Sequence, residues 1–180
     1  MKRIAIALCG LLYANLTVAA EPASRLDALQ WLVGDWAGVG QGEPGTSATT
    51  RHVEAFLEGR YLRISGRSVY PKQDGNPKGE VHLEMDVWSY DRARDVLMLR
   101  QFDNLGFVTT YALDKAASTS ERLVLVAEHL ENIPSGWRAR YTYTFKPPNE
   151  YHEMLELDMG GKGFQPYVTN RFLRVDAIGP

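Results

Sequence analysis

The sequence predicts an all-β protein, a ten-stranded antiparallel up-and-down β-barrel with a short N-terminal helix closing one end. Three observations carry this. Apolar residues recur with period two from Gly34 almost to the C-terminus. Short turn-rich breaks separate the alternating runs, so each strand pairs most simply with the next. No long crossover interrupts the series, and closure into a barrel removes the two exposed edges that an open sheet would leave.

The elements follow in chain order. Leu26, Leu29, Leu32 and Val33 form a helical stripe of two to three turns, with Ser24 as its N-cap. Strands are expected at residues 35–42, 51–58 and 60–70. The loop "PKQDGNPKG" (71–79) leads to strands at 80–90 and 96–102, joined by "DRARD". Later strands are expected at 107–113, 123–130, 137–145, 151–159 and 167–175. The run 137–145 alternates most regularly. Trp137, Ala139, Tyr141, Tyr143 and Phe145 fall on one face, with Arg138, Arg140, Thr142 and Thr144 on the other. A barrel of ten strands is wider than its own side chains fill, so a cavity is expected.

Residues 1–20 read as a signal peptide. A basic start at Lys2 and Arg3 precedes an apolar run from 4 to 16, and the small residues Ala19 and Ala20 follow. Cleavage near Ala20 leaves one barrel domain, 21–180, in the periplasm or outside the cell. Lys2 and Arg3 leave with the peptide, which takes the net charge from −2 to −4. That balance argues against nucleic acid as a partner. Cys9, the sole cysteine, leaves too, so no disulfide, thiolate nucleophile or cysteine metal ligand is expected. No second long apolar segment follows, so no membrane span is expected in the mature form.

In the stretch "LVGDWAGVGQGEPG" (32–45), four glycines fall between Gly34 and Gly42, around Trp36. Its order is helix then strand, whereas a phosphate-cradling loop needs strand then helix and a Lys-Ser/Thr ending. Glycines on alternate positions instead suit a strand that another backbone approaches closely.

"GDW" after a short helix resembles the Gly-x-Trp signature of the calycin superfamily, which includes lipocalins and fatty-acid-binding proteins. "LQWLVGDWAGVGQGEPG", "FLEGRYLRISGRS" and "NIPSGWRARYTYTF" are similar to segments of nitrobindin-like and bacterial fatty-acid-binding-like barrels. The resemblance implies that Gly34 and Trp36 seal one barrel end beneath an arginine from the last strand, Arg171 or Arg174. It also raises haem as a cofactor, held by a histidine on the closing strands. Residues 165–175, "QPYVTNRFLRV", contain no histidine, which leaves Tyr167 as the substitute ligand.

The expected function is an exported binding protein for an apolar or amphipathic, fatty-acid-like molecule. The expected ligand-binding residues are Arg63, Arg100, Phe107, Tyr111, His129, Tyr141, Tyr143 and Glu153. Arg63 and Arg100 share faces with apolar residues. A lumenal arginine needs a partner, either Glu153 or a ligand carboxylate, unless a bulge turns it outward. His129 alternates with Leu123, Leu125 and Ala127, which gives an inward or a rim position. His82 lies on a face with Glu84, Asp86, Trp88 and Tyr90 that parity alone leaves ambiguous. Two other functions stand beside the binder. One is a cavity enzyme using His129 with Glu131, or Glu153 with a lumenal tyrosine. The other is an inert, filled barrel acting through its surface. The four histidines form no spaced metal motif, so no metal site is expected.

Overall fold

Ten strands close into one antiparallel barrel in the computed structural model, which describes residues 25–177. The expected signal peptide, its cleavage point and the Ser24 cap lie outside the described residues. The strands are β1 (Gly34–Gly42), β2 (Gly45–Phe56), β3 (Tyr61–Tyr70), β4 (Glu80–Asp91) and β5 (Val96–Asp103). They continue with β6 (Val108–Leu113), β7 (Arg122–Glu131), β8 (Arg138–Lys146), β9 (Glu150–Asp158) and β10 (Gln165–Arg174). Each pairs with its sequence neighbours, and β10 returns to pair with β1, placing Trp36 opposite Arg174. β2 starts at Gly45, earlier than its apolar alternation begins, because small polar residues such as Ser47 and Thr49 point into the barrel there.

The N-terminal helix is a short 3-10 helix, Asp27–Leu32, rather than two to three α-helical turns. The spacing explains the difference. Leu26, Leu29 and Leu32 recur every three residues, and a helix with three residues per turn stacks them in one row. All three are buried against Trp36, Val53, Leu62 and Trp88 at one end of the barrel.

The seam between β1 and β10 depends on glycine. A Cβ on Gly38 would run into the Arg171 carbonyl and the Phe172 Cα, and one on Gly42 into the Tyr167 carbonyl. These positions keep β10 close enough to complete the hydrogen-bonded wall. The two barrel ends therefore differ. Leucines and tryptophans fill the helix end. At the other end Gly40, Gly42, Ser47, Gly66 and Ser68 leave β1 to β3 thin on their inner face.

Candidate functional site

The thin-walled end holds a cavity of about 360 Å³. It opens among the β1–β2, β3–β4, β5–β6, β7–β8 and β9–β10 connections, opposite the 3-10 helix. Its walls are mainly apolar: Tyr111, Leu130, Ile133, Trp137, Leu155 and Leu157, with Phe107 at the mouth. Its floor is polar and is built around Arg51.

Arg51 lies on the inner face of β2, two residues before Val53, and is 3 % exposed. Its Nη2 donates to Glu153 Oε2 at 3.1 Å and also pairs with the Glu84 carboxylate. Its Nη1 donates to Thr49 Oγ1 and to the Thr50 carbonyl, both at 3.0 Å. The guanidinium carbon lies 5.0 Å from the Phe172 ring centre. Glu153 collects further donors: Tyr141 Oη at 2.9 Å, Asn170 Nδ2 at 3.1 Å and Tyr151 Oη at 3.2 Å. Burying ions this deep is tolerable only when such hydrogen bonds replace water. Burial works against the Arg51 charge, but Glu153 and Glu84 together outweigh it and hold the guanidinium above its ordinary range.

The floor carries more acid than base. Burial, only partly offset by Arg51, pushes the Glu84 carboxyl up. Asp86, one inward position deeper on β4, accepts from Gln101 Nε2 at 3.2 Å through one oxygen, while the other has no partner. Burial first and Glu84 second push the Asp86 carboxyl well above the usual range. Such a group keeps its proton when folded and releases it on unfolding. Stability must then fall as pH rises from the ordinary carboxylate range through the raised value. Asp86→Asn removes that slope. The variant should exceed the wild type by about 1–3 kcal/mol near pH 7, with the gap shrinking toward pH 4, in urea unfolding at both values.

Tyr111 and Tyr141 line the cavity, and Glu153 lies just beneath its floor. Tyr143 also points inward but lies deeper, 5.4 Å from the Trp88 ring and away from the cavity wall. Four other expected positions are corrected. Arg63 is on the outer face of β3, paired with Glu54, because the inward set is Leu62, Ile64, Gly66, Ser68 and Tyr70. Arg100 is on the outer face of β5 and donates to Ser89 Oγ at 2.9 Å. His129 is turned out by a β-bulge in β7, where Thr110 faces His129 but Tyr111 faces Ala127. The bulge hands the inward place to Leu130, leaving the imidazole 67 % exposed and 3.7 Å from Glu131 on the outer surface. The His129–Glu131 pair is therefore not in the lumen. Glu153 does meet a lumenal tyrosine, but its oxygens are already taken up by Arg51, Asn170, Tyr141 and Tyr151.

Arg171 is the fourth correction. It lies on the outer face of β10 and holds Glu150 at 2.9 and 2.8 Å. Arg174, on the inner face, packs over Trp36 at 4.2 Å and donates to the Val33 and Trp31 carbonyls. Gly34 has φ of +128°, and a side chain there would strike the Arg174 guanidinium.

Arg51, Glu84, Asp86, His82 and Asn170 were not among the expected site residues, although all point inward. Arg51 shares the parity of Val53 and Ala55, and Glu84 and Asp86 share that of Trp88, so alternation carried the signal. A larger hollow of about 460 Å³ lies against Val39, Gln41, Thr144, Met154 and Arg171, mostly outward-facing residues, and is more open to solvent. Among the described residues, no group of three His, Asp or Glu side chains is placed to hold a metal ion, and no helix is long and apolar enough to cross a membrane.

No protein-family model matches the chain, and no curated protein matches its sequence. Among solved structures, Rv2717c from M. tuberculosis is similar at a TM-score of 0.56 and 15 % identity, covering 83 % of this chain and 96 % of that one. EF1p2_mFAP2b bound to DFHBI overlays at a TM-score of 0.43 and 13 % identity, covering 82 % and 96 %, too loosely to support further comparison. The likeness to Rv2717c is one of fold alone.

Proposed function

We propose that the chain is an exported binding protein that holds one amphipathic small molecule in the open end of the barrel. The observation that supports this most is the cavity of about 360 Å³, apolar on its walls and polar at its floor, with a mouth to solvent. The apolar part of the ligand would lie along Leu130, Ile133, Trp137 and Leu157, and its polar end would reach toward Arg51 and Glu84. Export is read from the basic start and apolar run of residues 1–20. Fatty-acid-binding-like and nitrobindin-like barrels remain the resemblances that fit a hollow barrel of this kind.

Haem does not enter this reading. His82 lines the cavity, but its ring lies 5.0 Å from Tyr70 and its Nε2 lies 3.0 Å from Glu80, off the hydrogen-bonding direction. Tyr167 also lines the cavity, and burial, Glu43 and Glu80 push its phenol up.

Native mass spectrometry of the protein purified from its own host tests both parts. The expected mass is that of residues 21–180 plus one small-molecule adduct. A bare polypeptide mass in repeated preparations would contradict binding, and an uncleaved chain would contradict export.

A further inference from the structure

Resting on the binding reading above, we propose that the polar end of the ligand is a protonated amine, received by Glu84 and Asn170 at the cavity floor. A carboxylate would be the obvious head group if Arg51 were free, but its terminal nitrogens are committed. Nη2 serves Glu153 and Glu84, and Nη1 serves Thr49 and Thr50. An incoming anion would find a spent cation among carboxylates. Glu84 lines the floor, Asp103 lines the mouth, and Glu153 lies just behind. Against them stand Arg51 and His82.

The hydrogen-bond inventory points the same way. Asn170 is 7 % exposed and lines the cavity. Its Nδ2 is used on Glu153, while its Oδ1 has no partner. An orphaned buried acceptor costs free energy until a donor reaches it. Glu84 gives one oxygen to Arg51 and keeps its side chain 24 % exposed, so it has acceptor capacity left. An ammonium group brings three donors with a positive charge, which suits the unpartnered Asn170 Oδ1 and the Glu84 carboxylate. The apolar wall above suits an alkyl or aromatic tail.

Three probes with one tail separate the possibilities: n-decylamine, decan-1-ol and decanoate, titrated calorimetrically near pH 7 below their aggregation thresholds. At that pH the amine is cationic and the acid anionic. The amine should bind tighter than the alcohol and the acid by about tenfold or more, and Glu84→Gln should shrink its advantage over the alcohol to below about threefold. Decanoate binding as tightly as decylamine, or an amine advantage that survives Glu84→Gln, would overturn the ammonium assignment and leave the binding reading standing. Failure of all three probes to bind would overturn both. The wild-type comparison decides on its own should the variant not fold.

Discussion

Arg51→Leu should lower the unfolding free energy by about 3–5 kcal/mol near neutral pH. The cost is not the value of one ion pair. Removing the guanidinium leaves Glu153, 2 % exposed, and Glu84 facing each other without a counter-charge. Tyr141, Tyr151 and Asn170 still donate to Glu153, which holds the loss to a few kcal/mol. Uncompensated carboxyls take up protons on folding, so the deficit should be largest above the ordinary carboxylate range and shrink toward pH 4. Adding Glu153→Gln should recover part of the loss, because the second change removes the charge the first one stranded. Urea unfolding of the double-mutant cycle reads this coupling. Simple additivity of the two losses would mean that the charges do not interact as the geometry implies.

Trp36→Ala should cost a similar amount, about 3–5 kcal/mol, for a different reason. The indole is 1 % exposed and meets Tyr151 edge-on at 4.7 Å. Its Nε1 donates to the Leu32 carbonyl at 2.7 Å, and the Arg174 guanidinium covers its ring. Truncation therefore opens a void where the 3-10 helix, β1 and β10 converge. Trp36→Phe keeps a ring and loses the N–H, so it should cost about 1–2 kcal/mol. Denaturant unfolding of both variants checks the ranking. The cavity is at the other end of the barrel, so neither change should move its residues directly.

The ten strands were legible because alternation survives wherever one face is buried and the other solvated, as in β8. The helix end was legible through Trp36 and the leucines at spacing three. Lumenal charge was legible only in part, for local reasons. On β5, Val96, Leu97, Met98 and Leu99 are all buried, so parity carried no contrast and Arg100 read as inward. Met98 is outward-facing yet covered, with Arg94 Nη1 3.8 Å from its sulfur. On β7 the bulge shifts the alternation by one, which pattern reasoning had no means to see, so His129 and Leu130 exchange sides. Arg51 is the instructive case. Its parity with Val53 was visible, but the carboxylates that make its burial tolerable come from β4 and β9, far along the chain. Only closure of the barrel brings them together.

Binding in the barrel requires a hollow end that admits a small molecule. Its most direct test is a methyl-resolved NMR titration with decan-1-ol, a probe without charge. The expected result is saturable shift changes at Leu130, Ile133, Leu155 and Leu157, with Val39 and Leu57 on the outside unmoved. Changes confined to outward-facing methyls, or no saturable change at all, would contradict it.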